Sequence, residues 1–300
     1  MTLDQCEVIF EKVRSADSES ALRAEYQALL DVYPIINYEP LGAGTYWRGR
    51  RCESSQGYDN TAALSYPPPT LSRVGRLNAE GSPFFYATEH RETVFSELQL
   101  QQNDYVHIIG LRPRPLEAIR FISLGDLHHV YKAGYMRTTG SDPDNSLANL
   151  LDSYDIEDAT RIVFIDKFFA TILSDPKAHE SNYTLTRCLA SEVFRKIPQA
   201  EGFFYPSVQD NAGMCLALTP STYDRKMRIV CSKVIRISRV RPFGFYDHKV
   251  FLEATGISDS GEFIWREPPS VRSEHYFNLT KEECEDMKEL HSRNCGSNER

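Results

Sequence analysis

Apolar and polar positions along this chain follow two different periods, and the period changes several times. Leu22, Tyr26, Leu29 and Tyr33 recur at spacings of four and three, which marks one buried helix face, and Thr2 with Gln5 forms a capping-box pattern ahead of an earlier helix. Residues 3 to 33 are read as two short helices stopped by Pro34, an amphipathic pair that packs on the main domain. From Leu41 the pattern shortens. Thr45-Tyr46-Trp47-Arg48 opens a strand, Phe84 to Ala87 is a brief apolar run suited to a packed sheet, and Tyr105 to Leu111 is a strand closed by Pro113 and Pro115. Helical spacing returns at Ile165, Phe168, Phe169, Ile172 and Leu173, and again at Leu185, Leu189 and Val193. Strands are expected at Gly202 to Val208, Gly213 to Leu218, Ile229 to Val240, Val250 to Ala254 and Glu262 to Trp265; Thr280-x-x-Glu283 then opens a terminal helix.

Helices interspersed among many short strands predict an α+β fold, a β core with flanking helices and additional elements at both ends. The expected organisation is an N-terminal helical segment over 1–40, a central domain over 41–240 and a C-terminal extension over 241–300 packed on that domain. Residues 121 to 158, rich in Gly, Asp, Asn and Ser, are read as a less regular insertion.

The polar residues set into this framework concentrate between Gly75 and Leu98. Gly75-Arg76-Leu77-Asn78 lies ahead of the Phe84 to Ala87 strand, and Thr88 is placed to cap the helix that follows. Val94, Phe95 and Leu98 mark the buried side of that helix, which sets Glu97 beside the core. The proline-rich stretch 52–74, with Tyr66-Pro67-Pro68-Pro69, is expected to form a loop across the mouth of the site. Arg48 is either a phosphate ligand, gripping oxygens through its planar fork, or an arginine that covers Tyr46 or Trp47. Ser207 falls at the exit of a buried strand. It lies outside any G-x-S-x-G pattern and no histidine motif accompanies it, which argues against a serine hydrolase. Gly42-Ala43-Gly44 is no dinucleotide fingerprint, because the third glycine of G-x-G-x-x-G would fall at Trp47 and no helix follows.

Composition narrows the field. The chain has 300 residues, 41% hydrophobic and 25% charged, enough for one large core or two modest ones. Its net charge of -8 argues against broad phosphate neutralisation, so no direct nucleic-acid binding is expected. No signal-peptide pattern opens the chain and no apolar run approaches the ~20 residues that span a bilayer, so the reading is a cytoplasmic protein with no membrane partner. Seven scattered cysteines, an odd number without paired short spacing, read as idle thiols in a reducing compartment. His128-His129 has no nearby third ligand, and no metal is expected.

Two guanidinium groups, one ring, one carboxylate and one hydroxyl at element edges suit a dinucleotide: arginines for a pyrophosphate, a tyrosine for a flat base, a hydroxyl for a ribose or amide. Each of these residues taken singly also has an ordinary structural reading. Their joint order carries more. Tyr46-Trp47-Arg48, Gly75-Arg76-Leu77-Asn78 with Gly81, Phe85-Tyr86-Ala87, Glu92-Thr93 with Glu97, and Tyr205-Pro206-Ser207 with Gly213 resemble the RES domain over about Leu41 to Val234.

That resemblance implies a core similar to ADP-ribosyltransferases and an activity that consumes NAD as substrate, with no separate cofactor. It implies Glu97, Arg76 and Ser207 as catalytic residues, and Arg48, Tyr86 and Asn78 as substrate-binding residues. Members of the family are toxins that cleave NAD at the nicotinamide-ribose bond, as glycohydrolases or phosphorylases, and are restrained by an Xre-like antitoxin. The alternatives it leaves open are an ADP-ribosyltransferase acting on a protein or nucleic acid, and a defence or secreted effector.

Overall fold

The computed structural model of the protein describes residues 1–40, 44–267 and 277. In chain order its first half forms α1 (Leu3–Ser15), α2 (Glu19–Leu30), β1 (Asn37–Tyr38), β2 (Tyr46–Cys52), β3 (Phe85–Thr88), α3 (Arg91–Glu97), β4 (Tyr105–Pro113), β5 (Phe121–Ser123), α4 (Asp126–Ala133) and α5 (Ser146–Asp152). The second half forms α6 (Ile156–Leu173), α7 (Thr184–Lys196), β6 (Gly202–Pro206), β7 (Met214–Leu218), α8 (Pro220–Lys226), β8 (Met227–Arg241), β9 (Phe245–Ile257) and β10 (Phe263–Arg266). The α+β expectation holds. The terminal helix expected from Thr280 lies outside the described residues.

The chain divides into two compact units. The first gathers residues 1–40, 67–85 and 120–219. Its strands run in the order β1-β5-β6-β7, with β5 parallel to β6 and the other pairs antiparallel. A parallel pair needs a long crossover, and α4 to α7 supply it. The N-terminal helices share a core with this crossover. Phe10 of α1 stacks on Phe168 of α6 at 3.9 Å between ring centroids, and the buried Tyr26 of α2 donates its hydroxyl to the Leu185 carbonyl of α7 at 3.0 Å. The capping box at Thr2 and Gln5 is present with both of its hydrogen bonds.

The less regular structure expected over 121–158 is corrected by β5, α4, α5 and the first turn of α6. The residues that suggested a loop are helix boundaries. Gly125 (φ 100) and Gly134 (φ 80) flank α4 in left-handed conformations, and Asp142 accepts the amide protons of Leu147 and Ala148 at the start of α5.

Of the described residues, the second unit gathers 44–66, 86–119 and those from 220 onward, the division falling inside β3 between Phe85 and Tyr86. Its strands follow the order β3-β2-β4-β8-β9-β10, and the pairs from β3 to β10 are antiparallel. Val94 and Phe95 of α3 pack with Val106, Ile108, Ile235 and Ile237 of the sheet. Gly49 makes this close approach possible: a Cβ there would stand 2.6 Å from Val94 Cγ1.

Candidate active site

Within the second unit, Arg48 lies on β2 and is half-buried. Its Nη1 donates to the Tyr86 carbonyl at 2.7 Å and its Nη2 to the Ser65 carbonyl at 3.1 Å. The guanidinium therefore does not simply cover Tyr46 or Trp47. Burial pushes its pKa down to about 10, with the neighbouring Tyr223 opposing that shift and Arg50 adding to it, so it stays a cation at neutral pH. Ser65 and Tyr223, which surround this cation, are two residues the sequence did not single out. They are separated from Arg48 by 17 and 175 positions along the chain, and a carbonyl acceptor leaves no trace in residue identity. Tyr66 closes on Tyr223 edge to face, 5.8 Å between centroids, and donates its hydroxyl to Asp224 at 2.7 Å.

Strand alternation separates the members of this group. The α3 helix lies on the face of β2 that carries Trp47 and Gly49, so Arg48 leaves by the opposite face. Trp47 pairs with Thr88, which places Thr88 and, two residues earlier, Tyr86 on the α3 face. Arg48 meets Tyr86 through its carbonyl and not through its ring.

Glu97 is the last residue of α3, and it is exposed. The expectation that it sits beside the core is corrected. Thr93, Val94 and Phe95 form the buried stripe, and the helix ends before another turn can cover Glu97. Thr88 likewise does not cap α3: the helix starts at Arg91 after His90, and the Thr88 hydroxyl donates to the carbonyls of His90 and Trp47.

Within the first unit, Arg76 closes the C-terminal end of α6. Its Nη1 donates to the Leu173 carbonyl at 2.8 Å and the Asp175 carbonyl at 3.2 Å, and its guanidinium carbon stands 5.5 Å from the Tyr183 ring centroid. A cation there also meets the negative end of the helix dipole. Tyr183 holds a left-handed backbone (φ 57) as the residue ahead of α7, a conformation that costs a bulky side chain free energy. Asn78 is buried in the loop before β3, its Nδ2 donating to the carbonyls of Arg73 and Ala79 while its own carbonyl accepts from Gly75. Ser207 follows β6 and is buried, with its Oγ accepting the amide protons of Gln209 and Asp210.

One other histidine and serine pair invites attention and is chemically unsuited to catalysis. His107 Nε2 and Ser232 Oγ are 2.7 Å apart, both buried, but Nδ1 accepts the Tyr58 amide proton. The proton therefore sits on Nε2, which donates to the serine and cannot act as its base. Burial holds the imidazole neutral, its pKa pushed down to about 3.

Comparison with known families gives one match. The model of the RES domain fits residues 45–238, a segment that includes Arg48, Arg76, Asn78, Tyr86, Glu97 and Ser207. No curated protein matches the chain.

Proposed function

Because the chain belongs to the RES domain family, we propose that it degrades NAD by cleaving the bond between nicotinamide and ribose. The family match over 45–238 carries this reading, since all six residues fall within it. On the same reading the core is of the ADP-ribosyltransferase kind, and an Xre-like antitoxin or another inhibitory protein restrains a toxin.

The chemistry follows from the substrate. In NAD the nicotinamide nitrogen is already cationic, so the C1′–N bond can break with its electron pair leaving on a neutral base. Positive charge then develops on the ribose. A carboxylate beside C1′ stabilises that charge more than it stabilises the ground state, which lowers the barrier. Glu97 takes this role on the family reading. Water or inorganic phosphate adds to C1′ and loses a proton, for which Glu97 is the acceptor. On the family reading Tyr86 holds the nicotinamide ring, and Arg48 and Arg76 bind the pyrophosphate; the match over 45–238 supports this assignment. Ser207 orients the ribose or amide, and Asn78 holds the loop that carries Arg76.

Purified protein is expected to deplete NAD and release nicotinamide, and Glu97→Gln is expected to slow this on the order of a hundredfold or more. Undiminished turnover in that variant removes Glu97 from the reaction. Running the reaction with labelled NAD, with and without phosphate, identifies the acceptor: free ADP-ribose, its phosphorylated form, or label fixed to a macromolecule.

A further inference from the structure

The strands β8 and β9 extend beyond the body of the second unit. From Ser238 to Phe245 every residue is exposed, although Arg239, Val240 and Arg241 remain paired with Asp247, Tyr246 and Phe245. Strand pairing without burial makes this an arm that projects into solvent. Its end is apolar: Phe243 is 97% exposed, Phe245 68% and Val240 40%, with Pro242 and Gly244 between them. Phe243 also carries a left-handed backbone (φ 64) followed by Gly244 (φ 77), in a turn where asparagine is the favoured non-glycine residue. Neither packing nor turn chemistry accounts for a phenylalanine at this position.

Charge is arranged behind that tip. Arg241 pairs with Phe245 at the base of the turn that carries Phe243, Arg239 stands two residues, roughly 7 Å of strand, behind Arg241, and Lys249 and Arg236 lie opposite each other where the arm joins the body. Asp247, hydrogen-bonded to Arg241, is the acidic residue among positions 236–249, and His248 is the histidine there. The arm is thus cationic on a chain of net charge -8.

We propose that this hairpin is a docking element for an anionic lipid surface. The apolar apex enters the boundary between headgroups and acyl chains, a layer roughly 5–10 Å deep, and the arginines behind it fall at the level of the lipid phosphates. The order of apex and collar favours lipid over nucleic acid, where cations would flank the rings along a phosphate track. No part of this requires a spanning segment, and no helix of the described residues is long and apolar enough to be one. The proposal is independent of the NAD reading.

The test is co-sedimentation of the full chain with vesicles of phosphatidylcholine alone or with phosphatidylglycerol added, at low and high salt. Binding is expected to the anionic vesicles only, and to weaken with salt. Phe243→Asn suits the left-handed turn, so it leaves the thermal transition unchanged while binding falls about tenfold or more. Arg239→Gln is expected to reduce binding roughly fivefold. Absence of binding to anionic vesicles, or equal binding by Phe243→Asn, overturns the proposal. So does transfer of the Phe243 dependence to a single-stranded oligonucleotide or to lipid-free self-association.

Discussion

Arg48 and Arg76 are held by the same kind of partner, two backbone carbonyl oxygens, yet each is fixed by a different physical device. Arg48 lies on β2 inside a sheet, where its acceptors come from β3 and from the segment before the prolines, and burial depresses its pKa. Arg76 lies in a loop and is held by the exposed end of α6 and the face of Tyr183. A strand arginine is positioned by hydrogen bonds that the sheet already pays for, whereas a loop arginine depends on one helix ending at one place. The second arrangement is cheaper to disturb and easier to move.

The largest difference is expected from Arg48→Ala. It leaves two carbonyls without their charged donor in a partly buried setting, a loss of about 2 to 4 kcal/mol in a denaturant titration. NAD turnover should fall with it. A stability change below 1 kcal/mol would mean that the contacts of Arg48 are incidental.

The next effect belongs to the frame of Arg76. Asp166 of α6 is buried, accepts hydrogen bonds from Tyr33, Gly125 and His128, and burial raises its pKa to about 6. Its ordinary value is near 4, so below that pH both folded and unfolded states hold the proton and folding bears no charge-burial cost. As pH rises through 6 the native carboxyl must ionise in place. Stability is expected to fall by up to about 3 kcal/mol between pH 4 and pH 6, against which Asp166→Asn should flatten the slope. Glu192 works in the opposite sense: burial would raise its pKa, but hydrogen bonds from Gln27, Arg195 and Arg23 hold it low, so its contribution is lost as pH falls. The Asp166→Asn difference separates the two.

The smallest effect is expected from Arg76→Ala, about 1 to 2 kcal/mol, from one helix-end cation and its carbonyl contacts. Hydrogen exchange at the C-terminal turn of α6 should quicken. If Arg76→Ala costs as much as Arg48→Ala, the distinction between sheet anchoring and helix-end anchoring fails.

The sequence determined the elements and the order of the chemical residues. Periodicity found α2, α6, α7 and the strands β2 to β4 and β6 to β10, but not β5, because buried faces repeat at 3.6 and 2 residues wherever one side meets a core. The residues around Arg48, Arg76, Tyr86, Glu97 and Ser207 carried the family, which the match over 45–238 established. Only the tertiary structure decided what those residues touch. Arg48 meets carbonyls of Ser65 and Tyr86, Arg76 meets carbonyls of Leu173 and Asp175, and every residue has a carbonyl, so no side-chain pattern encodes which one is used. The same holds for α4 and α5, whose boundary glycines and aspartates looked like a loop until their φ angles and hydrogen bonds were fixed by the fold. It holds for Glu97, left exposed because α3 stops there, and for Phe243, whose exposure depends on how far two paired strands outrun their core.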